Sequence, residues 1–274
     1  IGIDDIDTRK LTKQLRVDGA MRAALSTDES LSDADLVERA RQAPDMAGLD
    51  LASRAGTNKI YEWTEVVSPA DFGSEVTWPT VSQPRHVVAI DLGVKHNILR
   101  LLASCGFKVT VVPADTDAET IRQLQPDGIF VSNGPGDPAA VEHAPATLRK
   151  LIDDGYPTFG ICLGHQIIAL ACGAKTFKLK FGHRGVNHPI QRLADGAVEI
   201  ASHNHGFAVA LDSLPEDLEV THMNLNDQTC AGIRHRRLPV FSVQYHPEAC
   251  PGPSDPLYLF QRFVELIDQQ PIKA

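Results

Sequence analysis

The sequence has no basic excess: 26 lysines and arginines stand against 35 aspartates and glutamates, a formal net charge of −9 at pH 7. A nucleic-acid-binding surface shows itself as a basic surplus or stripe, so small molecules or protein partners are the expected ligands. Long hydrophobic runs are missing too. No stretch approaches the roughly 18 consecutive apolar residues of a spanning helix, and the chain does not open on a charged start followed by an apolar stretch. A cytoplasmic protein is therefore expected. The cysteines, Cys105, Cys162, Cys172, Cys230 and Cys250, are scattered and odd in number, which argues against a disulfide framework. There is no Cys-x-x-Cys and no His-x-x-x-His, so despite 11 histidines no metal site is expected. Nor is there a G-x-x-x-x-G-K-[ST] phosphate loop, and no ATP site is expected in this chain.

What is present is a globular composition, 43% hydrophobic and 22% charged over 274 residues, enough for a sizeable core and for two domains at roughly 100–200 residues each. The chain starts at Ile1 inside what reads as a structured segment, as a fragment would. Up to about residue 82 it mixes helical patterns, Thr8–Arg16 and Ser32–Gln42, with polar connectors and a Trp-containing stretch, Tyr61–Val67. Ser68–Pro84 carries prolines among Ser, Thr and Gly, which is linker chemistry, and places a boundary near residue 84.

Beyond it, apolar runs alternate with amphipathic patterns. Strands are expected at His86–Asp91, Lys108–Val112, Gly128–Ser132 and Thr158–Ile161, and helices at Lys95–Cys105, Asp117–Leu124, Ala140–Asp153 and Leu163–Cys172. This alternation predicts an α/β fold, a parallel sheet covered by helices on both faces. From Lys175 to Gln244 several short strands with Gly, Asn and Pro turns should extend or flank the sheet, before a closing helix at about Pro256–Asp268. In such folds reactive groups gather outside the carboxyl ends of strands. That singles out Ser132–Asp137, Cys162 and Tyr245–Glu248.

Gly160-Ile-Cys-Leu-Gly164 follows an apolar strand and precedes an apolar helix, the nucleophile-elbow pattern with cysteine at its centre. The glycines allow a tight turn, and the helix N-terminus favours the thiolate that attacks carbonyl carbon. A lone cysteine is usually a buried core residue; Cys105, Cys172 and Cys230 receive that reading, Cys250 less securely. A thiol nucleophile needs a base near neutrality. His246 follows the apolar strand Val240–Tyr245, is fixed by Pro247, and has Glu248 on the same side of extended chain to orient it. His165 competes, but its place on the following helix points it to a structural role. In Ser132-Asn-Gly-Pro-Gly-Asp-Pro138, Pro135 has no N–H, so Gly134 is the better oxyanion donor, paired with the N–H of Leu163.

Together, Gly160-Ile-Cys-Leu-Gly-His-Gln166, Ser132-Asn-Gly-Pro-Gly136 and His246-Pro-Glu248 resemble the class I glutamine amidotransferases in motif, order and separation. Phe181-Gly-His-Arg-Gly-Val-Asn-His-Pro189, Asn204-His-Gly-Phe207 and His246-Pro-Glu-Ala-Cys-Pro-Gly-Pro253 narrow the resemblance to the small subunits of carbamoyl-phosphate synthetases. It covers residues 84–270, and more loosely Ile1–Thr27. The resemblance implies a class I amidotransferase domain over 85–274, with a central, mostly parallel sheet, preceded at 1–84 by a linker and the remnant of a smaller, N-terminally truncated domain. It implies a Cys162-His246-Glu248 triad, with Gly134, Gly136, Leu163, Gln166, Asn204, Gly206 and Phe207 around L-glutamine. It also implies a γ-glutamyl thioester, and ammonia passed to a large subunit that holds ATP, Mg and bicarbonate and makes carbamoyl phosphate for arginine or pyrimidine synthesis. No cofactor is expected in this chain. His203 departs from the pattern, standing where the family more often has glutamine. The readings left open are a glutaminase feeding another synthetase, a free-standing γ-glutamyl hydrolase, and a non-catalytic subunit.

Overall fold

Strands that are apolar on both sides set the architecture, because only a sheet covered by helices on both faces can bury them. In the computed structural model, which describes residues 2–67 and 80–270, the chain runs α1 (Thr8–Asp18), α2 (Asp33–Gln42), α3 (Ala52–Ala55), β1 (Tyr61–Trp63), β2 (Arg85–Asp91), α4 (His96–Ser104), β3 (Phe107–Pro113), α5 (Ala118–Gln123), β4 (Gly128–Val131), α6 (His143–Asp153), β5 (Thr158–Ile161) and α7 (Leu163–Ala171). It continues through β6 (Thr176–Arg192), β7 (Val198–Val209), β8 (Leu218–Asn224), β9 (Cys230–His235), β10 (Val240–Val243) and α8 (Tyr258–Asp268). These strands form one sheet in the order β1-β3-β2-β4-β5-β10-β9-β8-β6-β7. The expected parallel sheet is its centre, β3-β2-β4-β5-β10. Antiparallel strands continue it on both sides, so the whole is mixed.

Alternate residues of the parallel strands feed two cores. Val88, Ile90, Ile129 and Val131 pack under Ile121 of α5, Leu148 and Leu151 of α6, and Ile167 and Ile168 of α7. Val87, Ala89, Phe130 and Phe159 face the other way, against Ile98 and Leu102 of α4 and Phe260 and Phe263 of α8. Phe159 lies at the centre of that second core, its ring 4.5 Å from Phe241 and 5.5–5.9 Å from Phe130, Phe260 and Phe263. Burying each such aromatic contributes roughly 1.5–3 kcal/mol.

Three expectations are corrected. Lys175–Gln244 does not break into short strands throughout: β6 is 17 residues long and β7 is 12. Gly182 (φ 72°) and Gly185 (φ 154°) lie at register shifts within the β6–β7 ladder rather than at turns between strands. A bulge absorbs an extra residue without ending the pairing. The helix expected from Ala140 begins at His143, after a separate 3-10 turn at Pro138–Ala140. Pro145, in its first turn, lacks the N–H that a longer helix would bond back to Val141. The closing helix begins at Tyr258, and Asp255–Leu257 form a 3-10 turn ahead of it.

The sheet also takes a strand from ahead of the boundary expected near residue 84, since Tyr61 pairs with Val111 and Trp63 with Val109. Most of the expected linker, residues 68–79, lies outside the described residues. The N-terminal segment is tied to the loops at the strand ends. Gly48 N–H donates to Asp137 Oδ2 (2.9 Å), and Thr57 N–H to Asp91 Oδ2 (2.8 Å). β2, β4, β5 and β10 therefore all open at one rim, where the strand order reverses about β2 and ligands of open α/β sheets bind.

Candidate active site

Cys162 joins β5 to α7 at φ 55°, ψ −104°, a conformation that costs a non-glycine residue of order 1–3 kcal/mol. Its neighbours make the turn possible. A Cβ on Gly164 would stand 2.1 Å from the Val131 carbonyl oxygen, and one on Gly160 2.5 Å from Cδ1 of Ile168. The Cys162 N–H donates to the Val243 carbonyl (2.9 Å), which ties the elbow to β10. Leu163, first in α7, has an N–H that the helix itself does not use. Gly134 packs against it, where an added Cβ would meet the Leu92 carbonyl at 2.0 Å and Leu163 Cδ2 at 2.9 Å.

β10 carries His246 to the same rim, where the His246 N–H donates to the Ser202 carbonyl of β7 (2.9 Å). Its Nδ1 lies 2.7 Å from Glu248 Oε1. With Glu248 ionised, Nδ1 holds the proton and the other ring nitrogen is left free for Cys162, which lines the same cleft. Burial alone would favour the neutral ring, but the negative charges of Glu248 and Cys162 outweigh it and raise His246 to about 10. Glu248 is fully buried, which favours its neutral form. His246 and then Lys95 overcome that and hold it below the ordinary carboxylate value. Lys95 Nζ stands 3.0 Å from the same Oε1 and also donates to the Ala249 carbonyl. Asn97 Nδ2 donates to the Glu248 carbonyl (2.7 Å).

The competing groups fall elsewhere. His165 is buried on α7 with Nδ1 2.9 Å from Ser242 Oγ, and burial pushes it down to about 3. Cys105, Cys172 and Cys230 are buried, and desolvation lifts their thiols to about 12, 11 and 12. Cys250 is exposed.

A cleft of about 430 Å³ opens over the sulfur and brings together Cys162, His246, Gly134, Gly136, Leu163, Gln166, Asn204, Gly206 and Phe207. Glu248 lies behind His246. Gln166 has a narrower part than its amide implied: Nε2 is committed to the Phe207 carbonyl (2.7 Å) and Gln244 Oε1 (2.8 Å), so its oxygen alone is left to meet a ligand. The sequence reading missed Lys95, Met46 and Arg184, the latter two also lining the cleft. Lys95 could have been found, since it follows the carboxyl end of β2 and obeys the rule that singled out the other strand ends. Arg184 and Met46 carry no such signal. The assembly is a thiol with an adjacent base, an orienting carboxylate and backbone donors at a helix N-terminus, which can carry out acyl transfer from a small amide or ester.

The profile of the family described as glutamine amidotransferase class-I matches residues 88–266. The carbamoyl phosphate synthase small chain of a Synechococcus strain is 54% identical over 276 residues, covering 99% of this chain and 68% of that protein. Its namesake from a Synechocystis strain is 54% identical over 270 residues, covering 98% of this chain and 70% of the relative. Among solved structures, one described as a GMP synthase subunit from Thermoplasma acidophilum superposes with a TM-score of 0.58 at 24% identity, over 67% of this chain and 94% of its own. That likeness concerns the fold.

Proposed function

Because the chain belongs to the class I glutamine amidotransferases and, among them, to the carbamoyl phosphate synthase small chains, we propose that it releases ammonia from L-glutamine through Cys162, His246 and Glu248 and delivers it to a large synthetase subunit. The observation that carries this reading is the buried His246–Glu248 pair meeting Cys162 at the floor of the cleft.

The Cys162 thiolate attacks the side-chain carboxamide carbon of glutamine. The C=O electron pair moves onto oxygen, and the resulting oxyanion is held by the Gly134 and Leu163 N–H groups. His246 gives its proton to the departing nitrogen, the C–N bond breaks, and ammonia leaves a γ-glutamyl thioester. Water then attacks that thioester with His246 accepting its proton; the C–S bond breaks, glutamate leaves and the thiolate–imidazolium pair returns. Glu248 holds the ring in one tautomer and stabilises its charged form, with Lys95 holding Glu248. Backbone groups of Gly206 and Phe207 and the Asn204 amide suit the amino-acid head of the substrate, with Gly136 shaping the loop opposite. Gln166 secures the Phe207 carbonyl from behind.

Ammonia freed into water would be protonated, so its nucleophilic form requires a closed route to the partner. ATP, Mg and bicarbonate are bound there, and carbamoyl phosphate formed for arginine or pyrimidine synthesis is the product. Among the described residues no helix is long and apolar enough to cross a membrane, and the cytoplasm is the proposed compartment. The test is glutamate release from glutamine, with and without a large subunit, bicarbonate and ATP. Stimulation accompanied by carbamoyl phosphate is expected; full partner-independent turnover, or none in the complex, overturns the reading.

A further inference from the structure

Beside the cleft, three imidazoles converge where β6 pairs with β7. His183, His203 and His205 are buried, and one ring nitrogen of each lies within 4.8 Å of the others. His183 Nδ1 stands 3.2 Å, and His203 Nδ1 2.9 Å, from His205 Nε2. Hydrogen bonds on the far sides of two rings decide what these nitrogens present. His205 Nδ1 lies 2.7 Å from the Phe207 carbonyl oxygen, which can only accept; Nδ1 therefore holds the proton and Nε2 a lone pair. His183 Nε2 lies 2.7 Å from the Asp227 carboxylate, so it too donates outward and Nδ1 presents a lone pair inward. Two lone pairs thus face each other at 3.2 Å, with the Asn224 amide nitrogen at 3.4 Å from His183 Nδ1 as a distant donor. If His203 places its one N–H on Nδ1 to serve His205, its Nε2 is a buried lone pair with no partner among the described residues. The cluster is rich in lone pairs and poor in protons, which is the condition a cation satisfies.

The geometry fits a small transition-metal ion. Nitrogens at 2.0–2.1 Å from a tetrahedral zinc stand roughly 3.3 Å apart. The two separations to His205 Nε2, 3.2 and 2.9 Å, lie within a few tenths of an ångström of that. All three nitrogens lie within 4.8 Å of one another, and His203 ligates through Nδ1 once its one proton moves to the unpartnered Nε2. Ligating histidines characteristically give their other N–H to a carbonyl or carboxylate, the parts Phe207 and Asp227 play here. All-imidazole donors suit zinc, copper, nickel and cobalt rather than magnesium or calcium.

We propose that His183, His203 and His205 bind one divalent transition-metal ion of the zinc class, which pins β6 to β7 beside the cleft. The expectation of no metal looked for ligands spaced along one motif. Here His203 and His205 share a face of β7 by strand alternation, and the third ligand comes from β6. His205 lines the cleft together with its chain neighbours Asn204 and Gly206, so the ion would stiffen the segment assigned above to substrate; that consequence rests on the glutaminase reading, whereas metal binding does not.

The experiment is titration of the chelator-stripped full chain with Co²⁺ alone, read by visible ligand-field absorption, with zinc displacement and melting as second readouts. One equivalent should bind to the wild type and equally to Cys162→Ser, which separates the site from the catalytic thiol. His203→Gln should weaken binding at least ~100-fold. Zinc should raise Tm by about 5 °C in the wild type and leave the variant unmoved. His183→Gln removes the ligand from the other strand and must behave alike; it replaces His203→Gln if that variant misfolds by circular dichroism. No stoichiometric binding at micromolar cobalt overturns the proposal, as does binding lost in Cys162→Ser but kept in both histidine variants.

Discussion

β4, β5 and β10 are buried at every position, whereas β6 alternates through a long stretch of half-exposed and exposed residues. The first three are short, paired on both sides and packed between helices, and the turns that follow β5 and β10 carry Cys162 and His246. β6 and β7 are long, bulged and histidine-rich, and they supply Asn204, Gly206, Phe207 and Arg184 to the facing wall of the cleft. The contrast separates two demands of such a site. Charge at His246 and Glu248 is set by burial and near neighbours, which requires a dry, inflexible frame. Recognition of a polar small molecule requires exposed backbone and amide groups, which an antiparallel ladder with bulges offers.

Disabling the chemical half should give the largest effect. Cys162→Ser or His246→Asn should lower glutamine-dependent turnover by at least ~10³-fold while sparing synthesis from added ammonia in the holoenzyme; equal loss of both, measured side by side, would break the division. Next is the frame itself. Gly164→Ala drives a Cβ into the Val131 carbonyl and should cost about 2–3 kcal/mol by chemical denaturation. Glu248→Gln should reduce kcat by about 10²-fold and shift the alkaline limb of the kcat profile to lower pH, since His246 is held near 10 partly by that charge.

The same variant tests stability. His246 is raised, so its contribution is complete below its ordinary 6.5 and is lost as pH rises through about 10. Glu248 is lowered, so its contribution is complete above 4.5 and is lost as pH falls through its lowered value. The Tm gap between wild type and Glu248→Gln should therefore be widest between pH 4.5 and 6.5. Lys95→Met should cost roughly 10-fold in kcat, with the acid limb moving up as Glu248 loses a compensating charge. Smallest of all, Cys250→Ser should change kcat/KM less than about twofold, because the exposed thiol lies outside the cleft.

The placement of the candidate site was legible in the sequence where its residues are close together or end a strand. Gly160 to Gly164 encodes the elbow in five consecutive residues, and His246 and Glu248 are two apart. Lys95 follows the carboxyl end of β2 and so obeyed the strand-end rule, but its partner Glu248 lies beyond β10, across β4 and β5 in the sheet and far along the chain, so the pair itself left no local pattern. The helices and parallel strands were legible to within a few residues, since burial on both faces writes continuous apolar runs. β6 was not, because glycines at bulges have the same composition as glycines at turns, and only the pairing register tells them apart. The His183-His203-His205 cluster was hidden for a related reason: its members meet across a ladder whose alignment no single segment specifies.

β10, the last strand to be made among the described residues, is hydrogen-bonded between β5 and β9 and carries His246 beyond it. A nascent chain that has released everything through β9 holds Cys162 without His246 beside it, and the two halves of its sheet have no strand to join them. Insertion of this one segment both closes the sheet and sets His246 beside Cys162; on the proposed mechanism, a chain cut short before it would leave glutamine untouched.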